Sequence, residues 1–286
     1  MKLATINNCT HLITEAGGVD IARASGGRFS ADMKPLLAQL SDLRAWADDA
    51  DFVFDPSLAE ARLLEDLSVL EAPISNPDQL FAIGLNYRAH SEETGLDVPD
   101  EPMVFTKFAS SIGKPSADVV LPTLTCDWEV ELVAVIGKGG RNIPEAEALE
   151  HIAGYCVGQD VSERTLQFAN TPAQFSLAKS YPNFAPIGPW ITTTDEVSVD
   201  QLKIGCHHQT ATLQDGNTAQ MIFSVAALVS YLSKVCELRT GDLIFTGTPE
   251  GVGLGDKPPR YIEPGWVIES EIEGLGRMSN RFEVAS

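Results

Sequence analysis

The sequence predicts an α+β fold that is mostly β, with a small N-terminal α+β unit over residues 1–75 and a larger unit over residues 76–286. Three observations lead there. Beyond residue 75 the apolar residues come in short runs separated by Gly and Pro turns. Strand-like runs outnumber helical ones, and they do not alternate with helices as a doubly wound parallel sheet requires. A chain of 286 residues also exceeds the usual length of one domain, so a large core with a satellite is expected. Apolar residues at 44% and charged residues at 21% are ordinary for a globular protein.

In the N-terminal unit, Leu36, Leu37, Leu40, Leu43 and Trp46 of "ADMKPLLAQLSDLRAWADDADF" recur at helical spacing and mark a core face. The prolines and the Ser-Asn pair of "EAPISNPDQ" read as a connection and set the boundary near residue 75. The strands that follow are "LFAIGLNY", "MVFTKF", "WEVELVAVIG", "IAGYCVGQD", "APIGPWITT", "LKIGCHHQTATL", "DLIFTG" and "VIESEIEGLG". "IPEAEALEHI" and "SVAALVSYLSKVCEL" are the better helices. No internal repeat or low-complexity tract interrupts them.

A formal charge of -20, from 40 acidic against 20 basic residues, repels phosphate backbones and anionic lipid, so no nucleic-acid or membrane partner is expected. The N-terminal stretch has no continuous apolar region of the export type, and no run approaches the roughly 18 apolar residues of a membrane helix. Cys9, Cys126, Cys156, Cys206 and Cys236 form no CxxC pair, and their odd number fits reduced thiols in the cytoplasm.

The stretch "CDWEVELVAVIGKG" sets two glutamates at the head of an apolar run. Strand side chains alternate, so Glu129, Glu131, Val133 and Val135 share one face and Val130, Leu132, Ala134 and Ile136 the other. Two carboxylates side by side among apolar neighbours raise each other's pKa unless a positive charge lies between them. The alternative is a solvated face on an edge strand. Asp160, where "IAGYCVGQD" emerges, adds a third carboxylate, and three oxygen ligands suit a hard cation such as Mg²⁺ or Mn²⁺ with positions left for substrate and water.

In "AIGLNYRAHSEETG", His90 and Glu93 are i and i+3 on a helical turn, so the carboxylate can hold the imidazole and raise its basicity; a solvated helix start is the plainer reading. His11 and His151 are expected to pack at the surface or in the core. His207 and His208 face opposite ways on a strand and cannot form a simple shared site. The glycines of "IGKGGRN" and "FTGTPEGVGLG" match no phosphate-loop spacing and read as turns, and no GxSxG elbow offers a serine nucleophile.

Taken in order, "GLNYRAHSEE", "DWEVELVAVIGK", "GYCVGQDVSERTLQ", "LAKSYPNFAPIGPW", "DGNTAQMIFSV", "GDLIFTGTPEGVG" and "IEGLGRMSNR" resemble the fumarylacetoacetate hydrolase family, especially its shorter bacterial acylpyruvase-like members, from about Asp78 to Glu283. The resemblance implies a mixed β-roll or β-sandwich catalytic domain and, commonly, a homodimer. It implies Glu129, Glu131 and Asp160 as metal ligands, His90 and Glu93 as the water-activating dyad, and Lys179 as a catalytic and substrate-binding cation. Asn86, Arg88, Gln167 and Thr248 would contact the substrate. After "AKS", where many relatives carry an aromatic and then Asp-Thr-Phe, this chain has Tyr181-Pro182-Asn183-Phe184.

The implied activity is metal-dependent hydrolysis of the carbon-carbon bond in a small 2,4-dioxo acid of the acylpyruvate or fumarylpyruvate type, as in aromatic-compound catabolism, releasing pyruvate and a carboxylic acid. An oxaloacetate decarboxylase, or an isomerase of the 2-hydroxyhepta-2,4-diene-1,7-dioate type, would use the same metal enolate site. A non-catalytic carboxylate-rich binding protein is the reading from a different class, and it predicts ligand binding without turnover.

Overall fold

The apolar runs become strands of three sheets in a computed structural model, which describes residues 1–14, 17–48, 59–60, 66–95 and 97–285. The chain begins with β1 (Lys2–Ile6), β2 (Cys9–Thr14) and β3 (Gly17–Asp20), the short helices α1 (Ile21–Ala24), α2 (Met33–Leu37) and α3 (Leu40–Ala47), and β4 (Ala59–Glu60). It continues through β5 (Leu80–Gly84), α4 (Arg88–Thr94), β6 (Met103–Thr106), β7 (Ile112–Gly113), β8 (Asp118–Leu121), β9 (Cys126–Asp127), β10 (Val130–Ile136), β11 (Ile152–Gln159) and β12 (Ser162–Glu163). Two one-turn helices follow, α5 (Arg164–Gln167) and α6 (Phe175–Ala178). The last part holds β13 (Ala185–Thr193), β14 (Lys203–His208), β15 (Ala211–Asn217), α7 (Val225–Val235), β16 (Leu243–Phe245), β17 (Val267–Ile272) and β18 (Gly276–Val284).

The large sheet runs β4-β3-β2-β1-β13-β11-β10-β16-β5-β6, with β7 beside β13; a second sheet runs β15-β14-β17-β18-β8, and β9 pairs with β12. Because side chains alternate, β10 feeds two separate cores. Val130, Leu132, Ala134 and Ile136 pack with Ile204, Ile268, Met278 and Phe282 of the five-stranded sheet, which makes a sandwich. Val133 and Val135 face the opposite way, toward Leu3, Leu36, Leu43, Ile187 and Ile191. The glutamate-bearing strand is therefore central, flanked by β11 and β16, and not a solvated edge.

The strands of residues 1–75 extend the same large sheet, because β1 pairs with β13 through Lys2↔Thr192 and Leu3↔Ile191. The expected stripe of Leu36, Leu37 and Leu43 is buried, with Leu40 and Trp46 packed against it, but the helix breaks into α2 and α3 at residues 38–39. Residues 49–52 of that stretch lie outside the described residues.

Two elements differ from expectation. "IPEAEALEHI" forms a 3₁₀ helix over Glu145–His151 and not an α-helix. Its buried residues, Ala148 and His151, are three apart, which matches three residues per turn, and the glutamates between them need solvent. "LKIGCHHQTATL" is a hairpin, β14 and β15, because Gln209 turns the chain at φ 55°. There His208 stacks on Trp266 at 4.3 Å while His207 reaches toward Glu271 at 3.6 Å, so the two rings do part. No described helix is long and apolar enough to cross a membrane, and all five cysteines are free thiols.

Ile191 is fully buried where the N-terminal strands join the sheet. Ile191→Ala should cost about 2–5 kcal/mol through lost burial and the cavity left behind. Denaturant unfolding should show that loss in a single transition; a cost below about 1 kcal/mol would mean that this junction contributes little.

Candidate functional site

The cluster begins where β10 and β11 diverge. Regular pairing starts only at Val130, and the two residues at its entry have their N–H groups bonded by side chains: Glu129 N donates to Gln159 Oε1 and Val130 N to Gln214 Oε1, both at 2.9 Å. Asp160 N donates to Glu129 O at 2.8 Å, which sets the two acids beside each other. Glu131 pairs with Gly158, where a Cβ would lie 2.5 Å from Val133 Cγ2 and 2.8 Å from Phe245, so the strand opposite the acid has to be bare.

Glu129, Glu131 and Asp160 thus bring one oxygen each within 4.8 Å of one another, all buried. Cations surround them. Lys179, at the end of α6, donates from Nζ to Glu129 Oε2 and Asp160 Oδ2, both at 2.7 Å. Lys107 Nζ reaches Asp160 Oδ1 at 2.5 Å and also donates to the carbonyl of Lys179. Arg164 meets Glu129 Oε1 at 2.8 Å and is itself held by Asp127, whose Oδ2 accepts from Nε and Nη2 at 2.9 and 2.7 Å.

These contacts split the acids electrostatically. Burial alone would raise the pKa of Glu129, but Lys179 and then Arg164 draw it down to about 2. Among the described residues Glu131 accepts only from the Gly247 N–H, at 2.7 Å; burial, then the charges of Asp160 and Glu129, push its pKa well above the carboxylate range. Burial opposes charge on Lys179, yet Asp160 and Glu129 raise its pKa. Lys107 is lowered, chiefly by burial. Among the described residues, Glu131 is thus the one acid of the three without a direct ion pair, and the charge of Lys179 offsets its burial only in part. All-oxygen, buried and mutually repelling ligands fit a hard divalent cation of the Mg²⁺ or Mn²⁺ type.

α4 carries both His90, which lines a cavity together with Glu129, and Glu93. His90 Nδ1 lies 2.9 Å from Glu93 Oε1, and Glu93 Oε2 accepts from Gly251 N at 2.9 Å. With Nδ1–H donating to Glu93, the lone pair is on Nε2. The cavity is lined by His90, Glu129, Lys179, Gln167, Thr248 and Arg164, together with apolar side chains. Gln167 accepts from Arg164 Nη1 at 2.9 Å; Thr248 Oγ1 donates to the Val130 carbonyl and accepts from Gln214.

Two expected contacts lie elsewhere. Asn86 is fully buried and braces a loop: its amide donates to the carbonyls of Phe223 and Thr246 and accepts from Phe223 N, which leaves no group for the cavity. Arg88 is exposed and outside the cavity lining. The departing Tyr181-Pro182-Asn183 segment also stays outside it: Tyr181 packs on Phe184 at 5.1 Å and Asn183 donates to Asp118 O.

Sequence reasoning passed over Lys107, Arg164 and Asp127. Lys107 is the penultimate residue of the apolar "MVFTKF", and a lysine in such a run is buried only with an acidic partner. Arg164 follows Asp160 by four residues. "FTGTPEGVGLG" proves more than a turn. Its N–H groups bond Glu131 from Gly247, Glu93 from Gly251 and Asp127 from Gly253 and Leu254, and Gly247 and Gly251 adopt φ of 98° and 100° to aim them.

Comparison with known proteins fits this geometry. The fumarylacetoacetate (FAA) hydrolase C-terminal model matches residues 79–283. The mitochondrial oxaloacetate tautomerase fahd2 of Xenopus laevis is 44% identical over 214 residues, covering 74% of this chain and 67% of its own. A solved Mycobacterium smegmatis protein is 45% identical, with a TM-score of 0.92 over 100% of both chains. The 2-hydroxyhepta-2,4-diene-1,7-dioate isomerase of Mycobacterium marinum is 33% identical with a TM-score of 0.67, over 76% of this chain and 79% of its own. The maleylpyruvate hydrolase of Sphingobium sp. SYK-6, solved with manganese(II) and pyruvate, is 27% identical with a TM-score of 0.81 over 100% of both chains. With the family model spanning more than half of its length, the chain belongs to the fumarylacetoacetate hydrolase family.

Proposed function

We propose that the protein is a metal-dependent hydrolase that cleaves the C3–C4 bond of a 2,4-dioxo acid, giving pyruvate and a carboxylic acid. The observation that carries this reading is the His90–Glu93 pair, whose His90 lines the same cavity as Glu129 of the acidic triad. A divalent cation held by Glu129, Glu131 and Asp160 would supply positive charge for the oxygens of a 2-oxo acid and for a developing enolate.

The chain's own groups do the rest. His90 Nε2 takes a proton from water as the water oxygen bonds to C4, and Glu93, fixed by Gly251 N, stabilises the imidazolium. The C3–C4 electron pair then moves to C3, leaving a pyruvate enolate. His90 returns the proton to C3. Lys179 and Arg164 offer charge to the substrate carboxylate and the enolate, interactions typically worth about a few kcal/mol each in a site closed to water. Gln167 and Thr248 orient the substrate, and Lys107 positions Asp160. Lys179 competes for the very carboxylate oxygens that a metal would take. A homodimer in the cytoplasm, with reduced thiols, is the setting this reading carries.

The relatives named tautomerase and isomerase favour a second reading, in which the same site only moves a proton on oxaloacetate or an unsaturated 2-oxo acid. Product analysis separates the two, because only hydrolysis releases pyruvate and an acid in equal amounts.

Glu131→Gln should abolish turnover with Mg²⁺ or Mn²⁺ while leaving the fold intact. It also has a pH signature. The folded state keeps a proton on Glu131 that the unfolded chain loses above about pH 4.3, so the folded state binds more protons and stability falls as pH rises from there toward the raised pKa. In chelator, the wild type should lose stability relative to Glu131→Gln as pH rises above the unfolded value of about 4.3; parallel curves would show that Glu131 is not buried as a strained acid.

His90→Ala should lower hydrolysis of a 2,4-dioxo acid by roughly 10² to 10⁴-fold at saturating metal, with metal affinity by calorimetry almost unchanged. Hydrolysis that survives nearly intact, or a collapse of metal affinity, would remove His90 from the base role.

A further inference from the structure

The cavity at the acidic cluster has two unlike kinds of lining: Glu129, Arg164, Lys179 and His90 bring the charged and titratable groups, and Phe105, Phe168 and Phe175 bring an aromatic face, with Leu85 and Leu254 also lining it. Phe175 meets Phe105 edge-on at 5.5 Å and Phe168 at 6.4 Å, so the three rings make one continuous wall. Phe105 also lies 5.3 Å from the Lys179 ammonium, which marks where the charged lining meets the aromatic face.

Two features of the cavity lining work against the protein's own stability. Leu85 sits at φ 57°, where glycine or asparagine would be less strained. Phe168 is 43% exposed at the cavity rim. A bulky side chain held in the left-handed region and an aromatic ring left in water are both accounted for by a ligand that covers them.

The distribution of charge points the same way. Among the described residues lining the cavity, only Arg164 and Lys179 carry a permanent positive charge, and both are already paired with carboxylates. The carboxylate of a 2-oxo acid makes a claim on them. A second carboxylate at the far end would be desolvated against phenyl rings with no cation to meet it.

We propose that the site selects 2-oxo acids with a single carboxylate and an uncharged alkyl or aryl group at the far end, against those with a second carboxylate there. This rests on reading the cavity as the binding site for a 2-oxo acid, and the test keeps binding apart from turnover.

Calorimetry on the Mn²⁺-loaded full chain would compare phenylpyruvate and 2-oxohexanoate with 2-oxoglutarate. The monocarboxylates should bind about tenfold tighter or more. Phe168→Ala should weaken phenylpyruvate by about three- to tenfold and leave 2-oxoglutarate unaffected, and Phe168→Lys should narrow or reverse the preference. Equal or tighter binding of 2-oxoglutarate, no binding of any of the three, or equal weakening of both classes by Phe168→Ala would overturn the proposal. A parallel assay compares cleavage of 2,4-dioxo-4-phenylbutanoate with that of its analogue carrying a carboxylate at the far end. Retained binding preference without cleavage of either would overturn hydrolysis alone, whereas equal kcat/KM for both would overturn the preference and leave hydrolysis standing.

Discussion

Three carboxylates buried within a few ångströms of one another repel, and much of the surrounding structure can be understood as the means of keeping them there. Lys107, Lys179 and Arg164 neutralise Glu129 and Asp160 from three separate segments, and Asp127 in turn fixes Arg164. Among the described residues Glu131 receives only a backbone N–H, so the site is left short of positive charge at that point. Such a network is poor evidence for stability, because burying its ions costs several kcal/mol each. Its presence argues for a task that needs concentrated negative charge.

The sheet makes this arrangement possible. A central strand between β11 and β16 is rigid and dry, and the period of two sends Val130 and Leu132 into one core and Val133 and Val135 into the other. The acids occupy the end of that strand, where the ladder opens and the side chains of Gln159 and Gln214 replace backbone partners. One glycine-bearing loop after β16 then ties Glu131, Glu93 and Asp127 together, so that the acidic triad and the His90–Glu93 pair share a single scaffold.

What could be read from sequence followed local periodicity. The alternation in "WEVELVAVIG" placed both glutamates on one face, and the i, i+3 spacing joined His90 to Glu93, because these contacts are set within a single element. Lys107 and Asp160 are 53 residues apart, and Arg164 and Asp127 are 37 apart, so no short-range pattern joins them. Asn86 misled for a related reason: a polar residue beside the motif was free to serve either substrate or backbone, and three backbone groups of distant loops take it. The 3₁₀ segment at Glu145–His151 escaped because a helical composition does not reveal whether the burial period is 3.0 or 3.6.

The central claim is that the acidic cluster is a cation site in which Lys179 stands in the way of a divalent metal. Titrating Mn²⁺ into chelator-treated wild type and Lys179→Met, with free Mn²⁺ followed by electron paramagnetic resonance, tests it most directly. The account predicts one tight site per chain in the wild type and tighter binding in Lys179→Met, because the competing ammonium is gone and Glu129 and Asp160 are released to the metal. Absence of a stoichiometric site, or weaker binding once Lys179 is removed, would contradict it.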